Sequence, residues 1–128
     1  MYIQFQGRLT RGMLEKPYND CVICYTIMLP FTCDMIGYVE LTPWTKNIAY
    51  YIFEEYRHQG FAYEAVKAFM EACMRGEVTG RLEHRFYADV ADYNVPSKRL
   101  LRKLGFRAFG DDEDFLCYDP EREEEKVA

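Results

Sequence analysis

The chain has 128 residues, enough for one domain core and too few for two independent ones. Hydrophobic residues make up 49% of it and are spread along its length, which excludes a disordered or fibrous chain, and the 16% aromatic share favours a sheet, where flat side chains pack well. A formal net charge of -5 argues against nucleic acid as a partner, and no stretch reaches the roughly 18 apolar residues that cross a bilayer, so no membrane partner is expected.

Met1 to Thr10 lacks the charged start and apolar run of a signal peptide, which makes the cytoplasm the expected location. Tyr2 to Gln6 alternates weakly, as a short strand would, and Gly7, Gly12, Pro17, Asn19 and Asp20 then punctuate a stretch without a long periodic element. Cys21 to Leu29 and Met35 to Leu41 are strand-like runs joined through Pro30 to Asp34, and they read as a hairpin. The five cysteines, Cys21, Cys24, Cys33, Cys73 and Cys117, lie mostly in apolar stretches and read as reduced core thiols. Cys21 and Cys24 form a C-x-x-C with no turn between them and no second ligand pair, so no metal is expected.

Ile48 to Phe53 is a third apolar run and the expected central strand. From Gly60 the period changes. Ala62, Ala65, Val66, Phe69 and Cys73 fall on one face of a helix, Glu64, Lys67, Glu71 and Arg75 on the other, and Gly76 stops it. Arg85 to Val90 alternates Phe86, Ala88 and Val90 against Tyr87 and Asp89, the pattern of a strand. A second helix starts at Asn94, a good N-cap, takes Pro96 in its first turn, aligns Ser97, Leu100, Leu101 and Leu104 on one stripe and ends at Gly105. Phe115 to Tyr118 is the expected last strand. Residues 1–118 therefore read as one mixed α/β domain and 119–128 as a charged, mobile tail.

The informative joint is Glu54 to Ala62, which passes from a strand into a helix whose first N–H groups have no intrahelical partner. Such an end attracts anions, and Gly60 and Ala62 let an oxygen approach the backbone. Neither an ATP-type P-loop nor a G-x-G-x-x-G dinucleotide fingerprint is present. A hydrolase triad of His58, Ser97 and Asp89 lacks the G-x-S-x-G elbow.

What the joint does resemble is the R/Q-x-x-G-x-G/A signature of the GNAT superfamily, here Arg57-His58-Gln59-Gly60-Phe61-Ala62. Further along the chain comes Asn94-Val95-Pro96-Ser97 to Leu104-Gly105-Phe106, similar to the family's N-x-x-S-x-x-L-x-x-x-G-F segment. The resemblance runs from about Cys21 to Tyr118 and leans towards the branch that includes the ribosomal-protein N-terminal acetyltransferases. It implies a mostly antiparallel sheet with splayed strands and flanking helices, and the chain departs from the family pattern in a shortened region before the hairpin. It also implies acetyl-CoA as co-substrate, with the amides of Arg57 to Ala62 around the pyrophosphate and the backbone of Ile52 and Phe53 along the pantetheine arm. Asn94, Ser97 and Arg102 complete the implied coenzyme site. Lys98, Arg99, Arg102 and Lys103 form a basic face that reads either as a solvated surface or as one or two phosphate contacts.

The implied activity is direct acetyl transfer to a primary amine of a small molecule, peptide or protein. Where many relatives carry an acid Tyr in the second helix, this chain has Leu101, which leaves Ser97 to hydrogen-bond or protonate the thiolate. Asn47 stands where a Glu is often found, so Glu40 or Asp89 becomes the base, with Glu54 and Asp92 as further carboxylates near the cleft. Tyr50 and Tyr51 are neighbours on a strand and face opposite ways, one towards the cleft and one towards the core. Leu101 and Asn47 also support a second reading, a coenzyme A-binding module without effective catalysis, and the apolar hairpin a third, an interaction partner. Before Cys21 there is no clear amphipathic helix, so the acceptor side is either open or closed by a second subunit of a homodimer.

Overall fold

The computed structural model describes residues 9–11, 22–29, 32 and 34–121. The strand expected over Tyr2 to Gln6, the cysteines Cys21 and Cys33, and the tail beyond residue 121 lie outside them. The described strands are β1 (Leu9–Arg11), β2 (Ile23–Met28), β3 (Met35–Thr42), β4 (Asn47–Ile52), β5 (Phe86–Asp89), β6 (Arg107–Phe109) and β7 (Asp112–Tyr118), and the helices are α1 (Phe61–Met74) and α2 (Val95–Leu104). The strands form one sheet in the order β1-β2-β3-β4-β5-β7-β6, antiparallel throughout except where β4 meets β5.

Alternation decides which side of the sheet is covered. Val39 and Leu41 of β3, Ile48 and Ile52 of β4, Phe86 and Ala88 of β5, and Leu116 of β7 are all buried. Helix α1 lays Ala65, Val66, Phe69 and Cys73 on that surface, the stripe its 3.6-residue period predicts, and the Phe69 ring meets Tyr25 of β2 edge-on at 5.6 Å. Each large apolar side chain removed from water contributes about 1.5–3 kcal/mol. Leu101 of α2 and the following Phe106 fill the same core, and Gly105, at φ 109, makes the left-handed turn that brings Phe106 back beneath the helix. Burial pushes the free Cys73 thiol up to about 12, with the nearby Glu83 carboxylate adding to the shift, so it stays protonated.

Two short edge strands, β1 and β6, are not expected from sequence because three residues carry no measurable period. The last strand also starts earlier than expected, at Asp112. Its acidic residues are poor strand formers, and they are held there by pairing of Asp112 with Phe109 across the left-handed Gly110. Asp119, assigned by sequence to the tail, is tied to Arg85 at 3.0 Å.

The functional geometry comes from β4 and β5. They are parallel neighbours that pair at one position, Asn47 with Tyr87, where the Tyr87 N–H donates to the Lys46 carbonyl at 2.9 Å. The same Lys46 places its ammonium 2.9 Å from Glu83, a buried carboxylate that also accepts from Thr79 at 2.6 Å. Lys46 thus joins the turn that starts β4 to the loop that leads into β5. Beyond this pivot the strands part, and Ile48, Ala49 and Tyr50 face Ala88, Asp89 and Val90 across a cavity of about 150 Å³.

On its other edge β4 is locked to β3, and the approach is close: a Cβ on Gly37 would stand 2.0 Å from the Tyr51 carbonyl oxygen. Gly37→Ala is therefore expected to push the two strands apart and lower the unfolding free energy by about 1–3 kcal/mol, the usual range for overpacking, as measured by urea denaturation.

Candidate active site

Strand β4 ends at Ile52, and the chain makes a single 3-10 turn over Glu54–Tyr56 before α1. His58 (φ 63) and Gly60 (φ 83) both take left-handed conformations, which turn the backbone sharply enough to start the helix at the mouth of the parted strands. Glycine adopts this φ without strain and serves as N-cap. The first helical hydrogen bond runs from the Glu64 N–H to the Gly60 carbonyl, so the N–H groups of Phe61, Ala62 and Tyr63 have no acceptor within the helix. They point, with the positive end of the helix dipole, into a groove of about 480 Å³.

That groove gathers most of the residues singled out by sequence. Ile52, Arg57, His58, Gly60, Phe61, Ala62, Asn94 and Ser97 line it. Tyr56, Tyr63, Pro96 and Leu100 line it too and were not assigned there by sequence. Tyr63 follows Ala62 in the first turn of α1, so a helical projection from Gly60 was the signal available for it. Arg57 acts as a brace: its Nε donates to the Ile52 carbonyl at 2.8 Å and its guanidinium lies 5.1 Å from the centre of the Tyr51 ring.

Three expected coenzyme contacts lie elsewhere. The Phe53 N–H donates to the Ile36 carbonyl at 2.8 Å, so its amide belongs to the β3 ladder and not to the gap. Because an antiparallel ladder alternates, the backbone groups of Tyr50 and Ile52 are the ones that face away from β3 into the gap. Gln59 is exposed and outside the groove lining. Arg102 is also exposed and off the groove, whereas Lys103, one position further round α2, sits 4.5 Å over the Tyr63 ring on the groove wall. Of the other basic residues, Lys98 is held by Asp114 at 2.5 Å.

Helix α2 begins as its sequence requires. Asn94 is the N-cap, its Oδ1 accepting from the Ser97 N–H at 3.3 Å, and Pro96 sits in the first turn, where no N–H is needed. This start turns Ser97 inward, and its Oγ lies 2.5 Å from the hydroxyl of Tyr50. Tyr50, Asn94 and Ser97 border both the groove and the cavity between the strands, so they stand where the two spaces meet. Burial raises the Tyr50 phenol above its ordinary value, and the Ser97 hydrogen bond partly offsets this. Both neighbours border the groove: Tyr50 faces the helices, while the Tyr51 ring lies on the opposite face of the sheet, 43% exposed and stacked on Tyr38, and not in the core.

The carboxylates separate by position. Asp89 borders the cavity and accepts from the Asn47 side chain at 3.0 Å. Glu40 lies on β3 directly across from Ala49, on the sheet face away from α1, and is not among the residues bordering the cavity. Glu54 is exposed in the 3-10 turn, and Asp92 is exposed beside Lys98 and the acidic β6–β7 loop. Among the described residues there is no group of three or more potential metal ligands, and no helix is long and apolar enough to cross a membrane.

Comparison with known proteins agrees with this architecture. Residues 4–107 match the family model of the acetyltransferase (GNAT) domain. A solved structure from Bordetella pertussis, assigned to the GnaT acetyltransferase family, is 25% identical with a TM-score of 0.62, covering 78% of this chain and 67% of its own. Mycobacterium smegmatis RimJ in complex with CoA-disulfide is 20% identical with a TM-score of 0.63, covering 79% of this chain and 54% of RimJ. The spermidine/spermine N-acetyltransferase SpeG from Vibrio cholerae, solved in mutant forms, is 16% identical with a TM-score of 0.64, covering 87% of this chain and 72% of its own. The chain spans between about half and three quarters of the length of these structures. No curated protein sequence matches. The chain belongs to the GNAT acetyltransferase family.

The Asn94 cap holds the strand-to-helix turn that aims Ser97. Asn94→Ala is expected to lower stability by about 1 kcal/mol, and Asn94→Ser to restore most of it, both read from urea denaturation midpoints.

Proposed function

We propose that this chain moves an acetyl group from acetyl-CoA directly to a primary amine. The observation that carries the proposal is that the parted edge of β4, with the backbone of Tyr50 and Ile52 turned into the gap, leads straight to the open N–H groups at the start of α1. An extended arm with amides and a phosphate-bearing end fits such a path, and Gly60 leaves room where a side chain would fill the approach. The RimJ structure, at a similar fold, holds CoA-disulfide, which supports the same choice of ligand.

Acetyl-CoA supplies an activated thioester, so the protein needs to position it, accept the proton of the amine and protonate the departing sulfur. In this reading the N–H groups of Phe61, Ala62 and Tyr63 hold the pyrophosphate. Ile52 offers its backbone to the pantetheine once Arg57 releases the carbonyl, and Asn94 keeps Ser97 facing the sulfur. Asp89 is the better placed of the two base candidates because it borders the gap, and Asn47 orients its carboxylate. The amine enters from the open sheet face, where Asp89 lies and no described helix packs. Leu101, at 1% exposure, is a core residue, so the acid role expected of a tyrosine at that place falls to groups on either side of it.

A thermal-unfolding series with acetyl-CoA, coenzyme A, ATP and NAD tests the reading. The CoA ligands at about one hundred times their dissociation constant are expected to stabilise the protein by about 2.7 kcal/mol, with no effect of ATP or NAD. Gly60→Val, which forces a β-branched residue to φ 83, is expected to abolish the stabilisation. No rise with any CoA ligand in the unaltered protein would rule the proposal out, and a rise without turnover on any amine would favour the non-catalytic module.

A further inference from the structure

We infer that Tyr50 is a positioning residue for the transfer, holding Ser97 by a hydrogen bond and passing its phenolic proton through the Ser97 hydroxyl to the leaving sulfur; this rests on the acetyl-transfer reading above. The two side chains come from elements 47 positions apart and meet at 2.5 Å, at the point where the groove and the inter-strand cavity share a wall. Neither residue is placed there by chance of local structure. Tyr50 is the β4 residue whose alternation points it at the helices, and Ser97 is turned inward by the Asn94 cap and the Pro96 first turn.

The chemistry requires a second group behind the serine. A serine hydroxyl is a poor acid and would be left as an alkoxide if it gave its proton to sulfur alone. A phenol is a far stronger acid than an alcohol, and one hydrogen-bonded to the serine can serve as the source. As the amine nitrogen bonds to the acetyl carbon, the C–S bond breaks and sulfur keeps the electron pair. The Ser97 proton moves to sulfur and the Tyr50 proton moves to Ser97 Oγ. The phenolate then regains a proton from solvent, equal to the one the amine nitrogen releases through the base. Tyr50 is protonated before the step, and because burial raises its phenol above the ordinary value, the phenolate recovers its proton readily afterwards.

The relay also accounts for Leu101. With the phenol supplied by β4, a tyrosine on α2 at that position would compete for the same space, and a buried leucine packs it instead.

The test measures thiol release from acetyl-CoA with hydroxylamine as acceptor, a small nucleophile that needs no acceptor pocket, together with coenzyme A affinity by calorimetry. Tyr50→Phe removes one oxygen and keeps the ring. It is expected to lower kcat about 100-fold, within the range for general acid catalysis, while the KM for acetyl-CoA and the coenzyme A affinity stay within about twofold. Ser97→Ala should lose a similar factor, and the double variant should be no worse than either single one, because the two act as a unit. An unchanged kcat in Tyr50→Phe, a fall in affinity that matches the fall in turnover, or fully additive losses in the double variant would overturn the relay while leaving the acetyl-transfer reading intact. Failure of the unaltered protein to bind coenzyme A or to release thiol would overturn both.

Discussion

The structure depends on one incomplete pairing. Two adjacent parallel strands normally exchange hydrogen bonds along their length, yet β4 and β5 do so at a single position and then separate. The pivot is built to hold at that point. Lys46 takes the Tyr87 N–H on its carbonyl and the Glu83 carboxylate on its ammonium, so turn and loop are fastened together before the strands diverge. Past the pivot, β4 presents an edge with polar groups and no neighbouring strand. Buried backbone groups of that kind are costly when unpaired, and Arg57 supplies the Ile52 carbonyl with a donor from within the chain.

The two helices use this wedge differently. Helix α1 contributes backbone: its N-terminal N–H groups and the left-handed Gly60 form the end that holds the pyrophosphate in the proposed reaction. Helix α2 contributes side chains, with Leu101 filling the wedge and Ser97 bonding to Tyr50. Coenzyme recognition and catalysis, in the proposed reaction, are thus divided between two kinds of group. A backbone site tolerates wide sequence change, which fits a fold shared with proteins only 16–25% identical. A side-chain site does not, and in the proposed reaction it rests on Tyr50 of the strand and Ser97 of the helix.

The sheet face away from α1 carries a different character. Tyr38 and Tyr51 stack there, as do Tyr87 and Phe115, with Phe109 packed edge-on against both members of the latter pair. Asp89 and Asn47 open onto the same face, so in the proposed reaction the base lies on the side bordered by aromatic surface and the coenzyme on the side of the helix termini. The asymmetry across the sheet separates the two substrates of the proposed reaction.

Local sequence determined a good part of this protein. The period of α1, the apolar runs of β2 to β4, the alternation of β5, the Asn94 cap and the Gly60 and Gly105 turns arise from interactions between residues a few positions apart, and the two motifs are built from those same residues. Only the tertiary structure decided what meets across the gap. The Tyr50–Ser97 bond spans 47 positions and the Asn47–Asp89 bond 42, and neither leaves a periodic trace in the chain. The same limit explains Phe53, whose N–H goes to β3 because of strand register, and Lys103, which reaches the groove wall in place of Arg102 because one residue turns a helix by about 100°. Periodicity encodes which face of an element is apolar. Register and helix docking, set by the packing of the whole core, decide which polar group on the other face finds a partner.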